Sequence, residues 1–221
     1  MKQFLERSAV EHARDSILAA GLWEVAADFK PYVVFASGKQ ANNKLDLEAA
    51  IDEGQPDDLQ AAVLDPMKTL VERYDPDALW GVPSGGQSYA SKIGAHLSIP
   101  VVRLKKKENS PGVKTYELED PEEDGKRLRA AKRLVGVEDA GSERTSLYGA
   151  LYLSHPQLVE LTIKTVGVAL VWQRGLVIEA RHLGVPVTSV IQEHIPNLIR
   201  RKHPFFKKYG SLAVMREQAE V

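Results

Sequence analysis

The sequence predicts an α/β fold, a mostly parallel sheet flanked by helices. Two observations predict it. Short apolar runs with strand character alternate along the chain with stretches of helical spacing, as they do when a parallel sheet is covered on both faces. The chain has 221 residues, 43% of them hydrophobic, which is enough for one domain with a sizeable core.

The elements follow in order. Lys2 to Ala20 reads as a helix, because Phe4, Leu5, Val10, Ala13, Ile17 and Leu18 fall near helical spacing and Gly21 supplies a stop. Tyr32 to Phe35 is a β-branched and aromatic strand, followed by a turn at Ser37-Gly38-Lys39-Gln40. Leu59 to Tyr74 is a second amphipathic helix, with a kink expected at Pro66. Ala78 to Val82 reads as a buried strand, Ser84-Gly85-Gly86 as the loop after it, Ser88 to Leu97 as a helix and Pro100 to Leu104 as a strand. Lys105 to Arg133 is highly charged and punctuated by Pro111, Gly112, Pro121 and Gly125. It reads as a long exposed loop or hairpin with few core residues and a short helix near Lys126 to Lys132. A loop of that length inside a domain is usually functional or mobile. Alternation then resumes: strand Leu134 to Val137, helix Thr145 to Leu153, strand Val166 to Val171, helix Leu176 to Leu183 and strand Val187 to Ile191. From Glu193 onward a helix and then a basic, aromatic segment are expected.

Composition narrows the function classes. The formal net charge is −1, so no bulk polycation draws the chain onto nucleic acid. The absence of cysteine excludes disulfides and thiolate metal sites. Met1 to Arg14 has no signal-peptide core, and no apolar run approaches the ~20 residues of a membrane span, so a cytoplasmic protein is the expectation. The six histidines show no metal spacing. The run from Arg200 to Lys208 mixes cations with aromatics; a tail packing its Phe side chains on a protein partner is preferred to one stacking on RNA.

Three segments carry chemistry. In the first, the strand ending at Val137 runs into Glu138-Asp139 and then a small, hydroxyl-bearing loop, Ala140 to Ser146. Ligands of open α/β sheets sit at the carboxyl ends of strands, and a helix N-terminus offers free N–H groups to a phosphate. The acids suit ribose hydroxyls or a Mg²⁺ shell. An ordinary strand end with a helix cap would look the same. In the second, the Ser84-Gly85-Gly86 turn lets backbone approach a pyrophosphate; a tight βα connection is the plain alternative. In the third, Lys105, Lys106 and Lys107 open the long charged stretch, where cations could neutralise a leaving group or simply face solvent.

Taken together, from about Phe35 to Leu198, the order and spacing of these segments resemble orotate phosphoribosyltransferase, of the type I phosphoribosyltransferase family. Phe35-Ala-Ser37-Gly38-Lys39 looks like its Ser-Gly-basic segment, Leu79 to Ala90 its pyrophosphate loop and Pro100 to Gly112 the strand leading into its catalytic loop. Leu134 to Ser146 looks like its phosphoribosyl pyrophosphate signature, and Gly184 to Val190 its late helix-to-strand turn. The resemblance implies one domain over 1–221, with an N-terminal hood helix and strand in 1–50, a flexible loop over 105–133 and a tail over 193–221. It also implies a homodimer, Mg²⁺, and displacement of pyrophosphate from phosphoribosyl pyrophosphate by a nitrogenous base.

Carried onto this chain, Glu138 and Asp139 would hold the ribose and, indirectly, the metal. Ser142, Arg144, Thr145 and Ser146 would hold the 5′-phosphate. Ser84, Gly85 and Gly86 would line the pyrophosphate, and Lys105, Lys106 and Lys107 would act over it with Asp139. Lys44 and Arg174 are the candidates for a base carboxylate. Several positions depart from the pattern. Arg144 and Thr145 replace glycines, and Glu143 adds a negative charge. Asn109 and Pro111 stand where the family has a lysine and a histidine, and Ala36 where it has a lysine. Two functions therefore compete: a phosphoribosyltransferase, and a non-catalytic protein that binds phosphoribosyl pyrophosphate or a nucleotide.

Overall fold

The computed structural model describes residues 5–25, 33–34, 40–41, 43–83, 85–107, 115–141, 145–152, 158–173 and 183–192. The N-terminal part comprises α1 (Arg7–Ala19), β1 (Trp23–Val25), β2 (Val33–Val34), β3 (Gln40–Ala41) and β4 (Asn43–Leu45). Here β1 pairs antiparallel with β4, and β2 with β3. α1 is part of the main core, since Ala13 and Ile17 are buried in it. The second helix, α2 (Asp57–Glu72), runs through Pro66 as one element, with that proline buried inside it.

Five strands build the central sheet: β5 (Ala78–Gly81), β6 (Val101–Val102), β9 (Leu134–Gly141), β10 (Thr165–Gln173) and β11 (Val187–Gln192). All of its pairings are parallel, in the spatial order β11-β10-β9-β5-β6. The helix α3 (Gly85–Leu97) carries the chain from β5 to β6 at one edge. The chain then returns to the other side of β5, as β9, and moves outward again. That reversal makes the seam between β5 and β9 a topological switch point, where open α/β sheets bind ligands.

Period-2 alternation splits the core across the sheet. Val135, Val137, Ala169 and Val171 face one side, with Ile17 of α1, Val63 and Met67 of α2, and Tyr89 and Ile93 of α3. Leu134, Val168 and Leu170 face the other, with Trp80 and the elements of the second half of the chain. Trp80 Nε1 donates to Thr165 Oγ1 at 3.0 Å, which satisfies a polar atom at the centre of that layer.

The charged stretch after β6 is more ordered than its composition predicts. β7 (Leu104–Lys107) and β8 (Thr115–Leu118) form an antiparallel hairpin, and α4 (Glu123–Ala130) follows. The expectation of few core residues is corrected: Tyr116, Leu118, Leu128 and Ala131 are all buried in the second layer. α4 also begins earlier than the sequence pattern indicates. Asp120 caps it by accepting from the Glu122 and Glu123 N–H groups, and those bonds hold its carboxyl below the usual carboxylate range. The layer is completed by α5 (Thr145–Tyr152) and α6 (Val159–Lys164); no sequence signal marks α6. The predicted helix Leu176 to Leu183 and the segment from Glu193 lie outside the described residues, apart from Leu183.

Candidate functional site

The register of β5 against β9 brings the two main segments together. Gly81 stands opposite Val137, and the Val82 N–H donates to Val137 O at 3.0 Å. There the pairing stops. β9 runs on through Glu138, Asp139, Ala140 and Gly141, pairing only with β10. Its β5 side faces the first turn of α3, a helix that begins at Gly85 and not, as the sequence pattern indicates, at Ser88 after a Gly85-Gly86 loop. A Cβ on Gly86 would collide with Val137 O and come within 2.9 Å of Glu138 Cα, and one on Gly85 would collide with the Asp139 carboxylate. Both positions need glycine because the first turn of α3 lies against the acid pair.

The two acids leave β9 from opposite faces. Asp139 continues the Val135–Val137 side, toward α3. Burial holds its carboxyl above the usual carboxylate range, and the charges of Glu48 and Asp46 push the same way. The Ala140 N–H, 2.7 Å from Asp139 Oδ1, offsets part of this. Around it, Ser88 Oγ donates to Glu48 Oε1 at 3.0 Å, and the Tyr89 hydroxyl donates to Leu47 O at 2.7 Å. Glu138 continues the Leu134 side, toward the hairpin, and is 8% exposed.

On that side lies Tyr116 of β8. It is 1% exposed, and its hydroxyl hydrogen-bonds Ser146 of α5. Burial, with the Glu138 charge beside it, raises the phenol to about 12. Tyr116 carries a site contact that motif spacing does not flag. Period-2 alternation was the available signal: Tyr116 and Leu118 alternate with Thr115 and Glu117. The surrounding charge conceals it.

The three lysines do not act as a block. All lie on β7 and are exposed. Lys106 pairs directly across from Tyr116, so both are on the face turned toward Glu138 and α5. Lys105 is on the other face, where its Nζ lies 3.3 Å from Glu117 Oε1. Lys107 shares that face with Thr115. The root of the hairpin is held by Gln87, which follows the glycine turn. Its Oε1 accepts from the Leu104 N–H at 3.0 Å and its Nε2 donates to Glu119 Oε2 at 3.3 Å.

Of the remaining predicted site residues, Thr145 opens α5 and Lys44 lies on β4. Ser84, Ser142, Arg144 and Arg174 lie outside the described residues. So do Glu143, Asn109 and Pro111. Two surface grooves, lined by Asp57, Lys92 and His96 and by Leu5, His12 and Pro66, lie on α1, α2 and α3 away from the strand tips. Neither groove is lined by Gly85, Gly86, Glu138 or Asp139. Among those residues no group of three His, Cys, Asp or Glu is placed to hold a metal, and no helix is long and apolar enough to cross a membrane.

No family model and no curated protein sequence matches the chain. Solved structures do. Orotate phosphoribosyltransferase from Aeropyrum pernix is similar over 90% of this chain and 99% of its own, with a TM-score of 0.56 and 18% identity. The Mycobacterium tuberculosis H37Rv orotate phosphoribosyltransferase, in complex with 5-phospho-α-D-ribosyl 1-diphosphate, is similar over 83% of this chain and 95% of its own, with a TM-score of 0.52 and 19% identity. An adenine phosphoribosyltransferase from Rhodothermus marinus covers 84% of this chain and 98% of its own, with a TM-score of 0.51 and 17% identity. The fold is that of a type I phosphoribosyltransferase. Within that fold the chain resembles orotate phosphoribosyltransferase. A fold of this kind does not by itself fix a reaction, so function rests on the site.

Proposed function

We propose that the protein transfers 5-phosphoribosyl from phosphoribosyl pyrophosphate to a nitrogenous ring base, of which orotate is the leading candidate, with release of pyrophosphate. One observation carries this reading: the glycine turn of α3 and the Glu138-Asp139 tip of β9 converge at the β5–β9 switch point. A bound sugar lies between them. Its hydroxyls donate to Glu138 and Asp139, its 5′-phosphate takes the α5 N-terminus with Ser142, Arg144, Thr145 and Ser146, and its pyrophosphate takes Ser84, Gly85 and Gly86. The C1–O bond to pyrophosphate breaks with the electron pair leaving on oxygen, and a base nitrogen forms the new bond to C1 as its proton passes to the departing pyrophosphate or to water. Lys106, on the inner face of the hairpin, opposes the charge that develops on the leaving group, with Lys105 and Lys107 at the rim. Lys44 and Arg174 are the candidates for meeting a base carboxylate.

The donor chemistry fits Mg²⁺. Glu138 and Asp139 offer hard carboxylate oxygens that would meet the cation through ribose or water, and Glu48 and Asp46 add negative charge near the buried Asp139. Two carboxylates without a full protein cage match a cation that completes its shell with water and substrate phosphates. When bound there, Mg²⁺ supplies charge neutralisation. The fold likeness further supports a homodimer and a place in nucleotide metabolism, and the composition supports a cytoplasmic setting.

A non-catalytic binder is the second reading. The Lys105–Glu117 pair and the departures at Asn109 and Pro111 favour it, since they remove cations from the hairpin. A pyrophosphate-release assay with Mg²⁺ and a panel of free bases separates the two. The enzyme gives product with at least one base; a binder holds phosphoribosyl pyrophosphate and releases nothing. Glu138→Ala with Asp139→Ala should abolish binding while circular dichroism stays native. Unchanged affinity in that double variant would remove the site.

A further inference from the structure

We propose that Gln87 is a positioning residue: its side-chain amide sets the lysine strand β7 against the Gly85-Gly86 turn of α3, so that a pyrophosphate on that turn meets Lys106. The inference rests on the phosphoribosyl reading above. In that reading Gln87 touches no substrate and acts through the hairpin.

The backbone of Gln87 belongs to the switch point. Its N–H donates to Val82 O at 3.1 Å, and the Val82 N–H donates in turn to Val137 O of β9 at 3.0 Å. A Cβ on Gly81 would collide with Gln87 Cα, so the turn is also packed tightly onto β5. The side chain belongs to the hairpin. The Glu119 N–H donates to Arg103 O at 3.0 Å, so Leu104 and Leu118 face each other without exchanging backbone bonds, and the Leu104 N–H points away from β8. Leu104 is buried, and a buried N–H without an acceptor is costly. Gln87 Oε1 accepts from it at 3.0 Å, and Nε2 of the same amide donates to Glu119 Oε2 at 3.3 Å.

The residue type follows from the two partners. One is a donor and the other a carboxylate, so the joining group must accept and donate at once. A carboxylate only accepts, an ammonium or guanidinium only donates, and an amide does both. Glu119 is held in turn. Arg103 Nε lies 3.5 Å from its Oε2 and 3.6 Å from Oδ1 of Asp124, a fully buried residue of α4. Leu104 and Lys106 share a face of β7, two residues and about 7 Å apart. Fixing the Leu104 N–H therefore fixes where the Lys106 ammonium begins its reach. An anion on the turn and a docked hairpin then favour each other, with the same coupling in both directions.

The test is calorimetry with two probes, inorganic pyrophosphate in the presence of Mg²⁺ and ribose 5-phosphate. Gln87→Met keeps the length of the side chain and removes both bonds. It should weaken pyrophosphate about five- to thirtyfold, the range of two lost hydrogen bonds, and leave ribose 5-phosphate unchanged. Lys106→Ala should weaken pyrophosphate too, and adding it to Gln87→Met should cost little more. Gln87→Glu alone should behave like Gln87→Met. Gln87→Glu with Glu119→Gln reverses the polarity of the link at unchanged net charge, and should restore most of the affinity. Four results overturn the proposal while the sugar site stands: wild-type pyrophosphate affinity in Gln87→Met, equal loss of both probes, a full Lys106→Ala factor on top of Gln87→Met, or an exchange variant no tighter than Gln87→Glu. So does a wild-type protein that binds ribose 5-phosphate but not pyrophosphate. A wild-type protein that binds neither probe removes the proposed function, and this inference with it.

Discussion

Asp139 shows at the scale of one residue what the proposed binding site costs in stability. Its carboxylate is packed against Gly85, beside Glu48 and Asp46, and its folded value lies above the ordinary 3.8. Between 3.8 and that raised value the folded state binds more protons than the unfolded one. Stability contributed by this residue therefore falls as pH rises through the window, and the cost persists at neutral pH. Asp139→Asn should raise the melting temperature of the ligand-free protein at pH 7, by a few degrees, and the gain should shrink as pH falls toward 3.8. The same variant should lose most of its affinity for phosphoribosyl pyrophosphate. Calorimetric melts across pH, with binding measured in parallel, check both halves. A stabilising change that removes function marks a residue kept for its chemistry.

At the scale of the element, the hairpin is the part whose order the composition hides. It is fastened at its root by Gln87 of α3 and midway by the contact of Tyr116 with Ser146 of α5. Gln87→Ala removes one hydrogen bond to the Leu104 N–H and one to Glu119. Together these are worth about 1–2 kcal/mol. The amides of β7 and β8 should then exchange roughly tenfold faster, while those of β5 and β9 stay protected. Equal protection of the hairpin in both proteins would show that Gln87 does not hold it. The Lys105–Glu117 pair contributes little here, because both side chains are in contact with water.

Across the whole molecule, the two core layers meet on one sheet whose reversal at β5–β9 brings the Gly85-Gly86 turn and the acid pair together at the proposed site. Binding there should be read by the entire fold. At a hundredfold excess over Kd, phosphoribosyl pyrophosphate should stabilise the protein by about 2.7 kcal/mol. For a chain of this size that is a rise in melting temperature of about 5–10 °C. Differential scanning fluorimetry checks it, and the Glu138→Ala, Asp139→Ala double variant should show no shift.

Local pattern was enough to establish the parallel sheet, because apolar strands alternating with helical segments admit few other architectures. It also picked out the glycine turn and the acid pair, because each sits where strand gives way to helix. Spacing along the chain carries no information on which face of β9 each acid leaves, or on which lysine of three turns inward. Those depend on strand register, since a shift of one residue exchanges the faces. Tyr116 is the clearest instance. Its neighbours in sequence are Thr115 and Glu117, its neighbours in space are Ser146 and Glu138, and only the folded hairpin, with Tyr116 22 residues upstream of Glu138, brings them together.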